Sequence, residues 1–220
     1  MTAPYGTVLV VGASGETGQH VIRRLREYGV PVRAIVRSTE KATALQAAGI
    51  DVFIGDVMED LPWDELLADT QAVISTLGTR ADQDIVEIEF VEYIVLARLV
   101  ESAKKQRLAQ VVLMSSIGVE HPDSIPSLSH LLRVKRKAEL YLIRSQQPYT
   151  IVRAGGLING PAQYAVQIGH GDTLHGTISR ADAAEVLIQA LFQPEALNQV
   201  VEIVNDPAGS APDQAGLFAP

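Results

Sequence analysis

Short apolar runs alternate along this chain with longer stretches whose apolar positions recur at helical spacing. The short runs cover residues 7–11, 32–36, 51–54, 72–75, 110–114, 149–152 and 200–204. They are rich in Val and Ile and nearly continuous, the pattern of strands covered on both faces. Helical patterns cover 18–28, 40–48, 63–67, 88–105, 131–144 and 181–192. Pro62 sits where a first helical turn accepts proline, and Gly29 and Gly49 sit where helices stop. Strand–helix alternation of this kind predicts an α/β fold, a doubly wound parallel sheet with helices on both faces. One domain is expected over residues 1–205. Residues 206–220, rich in Ala, Gly, Pro and Asp, read as a loose C-terminal tail.

Composition narrows the function classes. The chain has 220 residues, 47% of them apolar and 20% charged, enough for one α/β domain with a sizeable core. A net charge of −8 argues against nucleic acid, which needs a basic face. No apolar run reaches the length of a membrane span, and no basic-then-apolar leader opens the chain. The absence of cysteine excludes disulfides, thiolate metal sites and cysteine nucleophiles, and fits a cytoplasmic location.

The first strand runs directly into Gly12-Ala13-Ser14-Gly15-Glu16-Thr17-Gly18. Gly12 lets the chain turn sharply off the strand. Gly15 removes the Cβ that would keep a phosphate from the backbone, and Gly18 lets the helix lie close on the sheet. The turn aims backbone N–H groups and the positive end of a helix dipole at one spot, a site for a dinucleotide pyrophosphate. The spacing is Gly-x-x-Gly-x-x-Gly, and an unliganded strand–turn–helix could also use it. The second strand favours the dinucleotide reading. It ends in Arg37-Ser38, and no Asp or Glu lies between Val30 and Thr39. An acidic residue here would take the ribose 2′-OH of NAD, whereas a guanidinium grips the 2′-phosphate of NADP. Arg37 is thus the expected NADP(H)-selecting residue, with Ser38 as a second donor, the alternative being a solvated arginine at a strand end. Arg33 shares its side of the strand but lies deeper.

Ligands in such sheets bind at the carboxyl ends of the strands. After strand three, Asp56 either accepts the adenine amino group or closes a turn, with Val57 packing on the ring. After strand four, Leu77, Gly78 and Thr79 would pass the second ribose and the nicotinamide. Arg80 would meet the pyrophosphate or an anionic substrate, unless it belongs to a plain loop. Ser115 and Ser116 end strand five, at the nicotinamide or merely in a turn.

These blocks occur in a recognisable order. They are Val11 through Gly18, Val36-Arg37, Gly55-Asp56-Val57, Met114-Ser115-Ser116, Lys135 within a basic helix, Tyr149-Thr150-Ile151-Val152-Arg153-Ala154-Gly155-Gly156-Leu157 and Ile178-Ser179-Arg180-Ala181-Asp182. Over roughly residues 5–205 the chain resembles the atypical short-chain dehydrogenase/reductases, an NAD(P)-binding group that includes flavin/biliverdin-reductase-B-like and NmrA-like proteins. The resemblance implies a Rossmann fold with strand order 3-2-1-4-5-6-7 and a substrate-side region at about 155–180.

One position departs from the pattern. Short-chain reductases carry Tyr-x-x-x-Lys on the helix after strand five, where the tyrosine protonates the substrate oxygen. Lys135 matches the lysine, which would hold the nicotinamide ribose, but Leu131 stands in the tyrosine's place. His130 is out of phase on the helix. Tyr164, His170, His175 and His121 lie in segments that could cover the nicotinamide. Flavins and linear tetrapyrroles spread incoming charge over a conjugated system and can take their proton from solvent. The expectation is an NADP(H)-dependent reductase of a small planar acceptor, with Ser116 and Lys135 as the catalytic residues. The alternative is an NADP(H)-binding redox sensor or assembly factor without catalysis. Ser179 is expected to cap the helix from Arg180, with Asp182 near its first amides where the dipole favours it. Arg153 is expected to pair with Asp182 or Glu139.

Overall fold

All seven apolar runs form strands in a computed structural model of the protein, which describes residues 6–162, 165–206, 208–209 and 217–218. The chain runs β1 (Thr7–Val11), α1 (Glu16–Glu27), β2 (Val32–Val36), α2 (Thr39–Ala47), β3 (Asp51–Ile54), α3 (Trp63–Leu66) and β4 (Thr70–Ser75). It continues through α4 (Ile85–Glu89), a π-helical segment (Phe90–Ile94), α5 (Val95–Gln106), β5 (Gln110–Ser116), α6 (Ser129–Arg144) and β6 (Tyr149–Ala154). It ends with β7 (Gly156–Ile158), β8 (Ala165–Gly169), β9 (Thr177–Ser179), α7 (Arg180–Phe192) and β10 (Gln199–Asp206).

The large sheet has the order β3-β2-β1-β4-β5-β6-β10-β8. Its first seven strands are parallel in the expected 3-2-1-4-5-6-7 arrangement, with β10 as the seventh. β8 pairs antiparallel with β10 at the edge, and β7 pairs with β9 apart from the sheet. The segment from Gly155 to Gly171, expected as a loop, therefore contains two strands. Its glycines, proline and asparagine mark the turns between these strands and hide them from a composition-based reading.

Side-chain alternation along β1 sorts the core into two layers. Val8 and Val10 join the layer under α1 and α7, with Val21, Leu25, Leu187 and Ile188. Leu9 and Val11 join the layer under α3, α5 and α6, with Leu66, Leu99 and Leu142. Helices on both faces and the reversal of strand order between β1 and β4 open a crevice at the carboxyl end of the sheet. α1 and α7 are also tied by Glu185, which accepts from Arg24 Nε at 2.8 Å and Tyr28 Oη at 2.5 Å. Burial alone would raise the Glu185 pKa, but the hydrogen bonds from Arg24, Tyr28 and Gln189 hold it below the ordinary value. The tie therefore adds stability above the carboxylate's unfolded pKa and loses it as pH falls through the lowered one.

Part of the expected loose tail also folds back. Leu217 and Phe218 pack on the α7 layer, and the Phe218 N–H donates to Gln193 Oε1 at 3.0 Å. Much of the rest of residues 206–220 lies outside the described residues.

Buried polar groups pin the segment between β8 and β9. Glu202, 1% exposed on β10, accepts from the N–H groups of Asp172, Thr173 and Leu174. Asp172 in turn accepts from Gly118 and Glu120 N–H at 3.0 and 2.8 Å, which fastens the loop after β5. Beneath it lies Arg153, 3% exposed, whose Nη2 donates to Glu139 and Glu120 at 2.7 Å each. Burial opposes the guanidinium charge, yet the two carboxylates raise its pKa above the ordinary arginine value. Of the two partners expected for Arg153, Glu139 is found. Asp182 instead accepts from Asn205 and from Ser179, whose Oγ caps α7 as expected.

Arg153→Met strands the Glu139 carboxylate, which is fully buried. Breaking a buried pair this way should cost about 3 kcal/mol, near the lower end because Arg136 remains 3.4 Å from Glu139. Urea unfolding checks this, and Glu139→Leu in the same background should recover most of the loss. An unchanged midpoint for Arg153→Met would show that the pair contributes nothing to stability.

Candidate functional site

The crevice holds two adjoining hollows. A cleft of about 210 Å³ is lined by the glycine turn, the ends of β2 and β3 and the segment after β4. A cavity of about 450 Å³ is lined by the end of β5, α6, the β6–β7 turn and residues 175 and 176. Leu77, Gly78 and Thr79 form a wall of both.

The glycine turn builds the first hollow. Gly12 has φ +84°, and a Cβ there would lie 2.8 Å from the Thr76 backbone. Thr76 Oγ1 lies within hydrogen-bond reach of the Val11 and Gly12 carbonyls at 3.2 and 3.3 Å, which fixes the turn against β4. α1 begins at Glu16, two residues earlier than the periodicity suggests, with Gly15 as its N-cap and no side chain on its first amides. Gly12, Ser14 and Gly15 line the cleft. Ala13, Thr17 and Gly18 are buried beneath it and act by packing. Glu16 points away to an ion pair with Arg180 at 3.0 Å.

At the end of the cleft formed by β2 and β3 the expected residues divide. Arg37 lines the cleft, 71% exposed, with Asp56 3.8 Å away. Its donors are therefore largely free. Ser38 does not line the cleft; its Oγ caps α2 through Lys41 N–H at 3.4 Å. Arg33 is tied to Asp51 and to the Leu66 and Ala68 carbonyls. Asp56 closes its turn by accepting from Met58 N–H at 2.9 Å, and both Asp56 and Val57 also line the cleft. Arg80 lines neither hollow: 81% exposed, it pairs with Asp82 at 3.0 Å, so its place is the plain loop.

Where the hollows meet, the structure adds a residue that the pattern did not single out. Glu92 is 7% exposed in the π-helical segment. Its Oε1 accepts from Thr79 N–H at 2.7 Å and Oγ1 at 2.8 Å, and its Oε2 lies 2.7 Å from Lys135 Nζ. π-Helical insertions often redirect a side chain at functional sites, and here one turns a carboxylate inward from a helix. The available signal was an acid between Val91 and Tyr93 in an otherwise apolar stretch.

Ser115, Ser116 and Lys135 all line the cavity. Ser116 Oγ donates to the Ile117 carbonyl at 3.0 Å. Ser115 Oγ is buried and has no hydrogen-bond partner among the described residues. Leu131 packs with Ile88 and Val134 and does not line the cavity, while Leu128 and Ile125 do. Of the four candidate cover residues, His175 lines the cavity. His170 Nδ1 lies 2.9 Å from the Val200 carbonyl, His121 is exposed, and Tyr164 lies outside the described residues. His130 is exposed on α6.

These residues suit a dinucleotide on structural grounds. The turn at Gly12 is one that a Cβ would block, and it leads to uncapped helix amides beside the cleft. The wall of the larger cavity carries an orphaned buried hydroxyl, Ser115 Oγ, that a ligand could satisfy. Among the described residues no cluster of side chains could hold a metal ion, and no helix is long and apolar enough to cross a membrane.

Known proteins agree with this geometry. The family model described as NAD(P)H-binding matches residues 12–194. An uncharacterised chloroplastic protein of Arabidopsis thaliana is 36% identical, the match covering 96% of this chain and 81% of that one. Sanguinarine reductase of Eschscholzia californica is 30% identical over 92% of this chain and 90% of its own. Among solved structures, ChuY, an anaerobilin reductase from Escherichia coli O157:H7, superposes with a TM-score of 0.80 at 25% identity, covering 93% of this chain and all of that one. Fold, glycine turn and family match lead to one assignment: the chain belongs to the NAD(P)H-binding Rossmann family, among its atypical short-chain dehydrogenase/reductase members.

Proposed function

We propose that the protein is an NADPH-dependent reductase of a planar, conjugated small molecule of the flavin or tetrapyrrole type. One observation carries the reading. The dinucleotide cleft opens, across Leu77–Thr79, into a second cavity lined by Ser115, Ser116 and Lys135. With the nicotinamide end of the dinucleotide at Lys135, the mostly apolar remainder of that cavity leaves a flat acceptor a place beside it. Two similar proteins named as reductases add support.

The dinucleotide, when bound, supplies a hydride from its reduced nicotinamide. The Gly12–Gly15 turn offers backbone N–H groups to the pyrophosphate. Arg37 offers two parallel donors to a 2′-phosphate. Glu92 holds Lys135 at the junction of the hollows, where its remaining ammonium hydrogens can reach ribose hydroxyls. Ser116 can turn its hydroxyl from the Ile117 carbonyl toward an acceptor atom. The mostly apolar remainder of the wall presses a flat ring into place. No tyrosine stands at position 131, so the acceptor must spread the incoming charge itself. The final proton comes from solvent at the open mouth, where His175 also stands.

Binding should favour NADPH over NADH. Loss of a charge-assisted phosphate contact of about 1.5–3 kcal/mol predicts a roughly ten- to hundredfold weaker NADPH complex for Arg37→Ala, with NADH little changed. Fluorescence titration of both cofactors checks this, and equal affinities in the parent protein would refute NADP selection.

NADPH consumption should be measured against flavins, biliverdin, quinones and unconjugated ketones. Conjugated acceptors should be reduced and simple ketones not. Ser116→Ala should lower turnover more than it lowers NADPH affinity. Robust ketone reduction would contradict the mechanism, and NADPH binding with no acceptor reduced would turn the protein into a sensor.

A further inference from the structure

We propose that the cavity selects an uncharged acceptor and rejects anionic derivatives of the same ring. The proposal rests on the reductase reading and narrows it, favouring a neutral isoalloxazine or quinone over a carboxylate-bearing tetrapyrrole.

The charge inventory of the wall carries it. Among the described residues, Lys135 is the one lysine or arginine lining the cavity. Its side chain is 13% exposed and lies 2.7 Å from the 4%-exposed carboxylate of Glu92. The pair is neutral as a unit. Glu92's other oxygen is already taken by Thr79, so the pair has no reason to open toward an incoming anion. Neighbouring guanidinium groups are occupied as well. Arg153 is enclosed by Glu139 and Glu120, and Arg180 is held by Glu16. His175 is the other ionisable side chain on the wall. The charged groups around its loop are Asp172 and Glu202, which accept backbone N–H groups there, Glu120, and Arg153, 4.0 Å from Asp172. The one cation among them is thus surrounded by the carboxylates of Asp172, Glu120 and Glu139.

The remaining surface is apolar or hydroxylic, including Met114, Ile117, Leu128 and Leu157 beside Ser115 and Ser116. A neutral ring gains from burial against it and finds hydroxyl donors for its carbonyls. A phosphate or carboxylate would lose water there without gaining a counter-ion. It would also feel like charge twice, from a protein of net charge −8 and from the phosphates of the dinucleotide in the adjoining cleft.

Riboflavin and its 5′-phosphate, flavin mononucleotide, share one redox ring and differ by the phosphate. Each should be tested as acceptor with NADPH, and for binding by quenching of flavin fluorescence, at about pH 8 where histidine side chains are ordinarily uncharged. Riboflavin should be favoured by roughly tenfold in affinity and in kcat/KM at low ionic strength, and the gap should shrink in about 0.5 M salt. Glu92→Gln, which releases the Lys135 charge, should move the preference toward flavin mononucleotide; the parent comparison stands whether or not that variant folds. Equal or tighter binding of flavin mononucleotide in the parent overturns the proposal, as does binding of neither flavin. Preferential binding of riboflavin with no reduction of either supports the charge selection and removes flavin as the acceptor; the reductase reading then fails if quinones and biliverdin are not reduced either.

Discussion

The close approach between the end of β1 and the start of α1 is the constraint on which the site depends. A Cβ on Gly18 would lie 2.2 Å from the Gly12 carbonyl oxygen, and one on Gly12 would meet Thr76 at 2.8 Å. Three segments thus converge where the two glycines have no side chain to keep them apart and the Thr76 hydroxyl reaches across to the Gly12 carbonyl. This places the first amides of α1 beside the cleft and sets the depth of its floor. It also seats β4 against β1, so the segment after β4 can serve as the partition between two hollows.

That partition is held from behind by a carboxylate. Burying Glu92 would be unfavourable alone, but its two oxygens take three donors from two separate segments. The arrangement orients Lys135 and removes its net charge from the acceptor side in one step. A reaction that relies on a delocalising acceptor needs no strong acid on the wall, and this wall has no tyrosine at the usual place. The pinned segment between β8 and β9 completes the cavity. Glu202 and Asp172 accept backbone N–H groups rather than pairing with lysines, so the segment bearing His175 is fastened by main-chain hydrogen bonds.

Much of this was legible in the sequence for a physical reason. Strands buried on both faces write themselves as apolar runs, and a turn requiring positive φ writes itself as glycine. Runs 7–11, 32–36 and 200–204 therefore named their strands, and Gly12 and Gly15 named the turn. Partnerships were less legible, because a side chain's neighbour depends on the fold. Arg37 and Arg80 look alike in sequence, yet one lines the cleft and the other pairs with Asp82. Ser38 looks like a phosphate donor and is spent as a helix cap. β8 escaped notice because its pairing partner lies more than thirty residues away, at Glu202–Asp206. Glu92 was visible only as an acid in an apolar stretch; its role depends on a π-helical insertion that no local propensity announces.

The central claim is that one dinucleotide spans both hollows across Leu77–Thr79, with its phosphate end at Arg37 and its reactive end at Lys135. A crystal structure of the protein with NADP⁺ tests it most directly. The account predicts the 2′-phosphate within hydrogen-bond reach of Arg37, the pyrophosphate on the amides of the Gly12–Gly15 turn, and the nicotinamide ribose on Lys135 beside Ser116. A dinucleotide confined to the smaller cleft, or one whose nicotinamide turns away from Lys135 and Ser116, would contradict it.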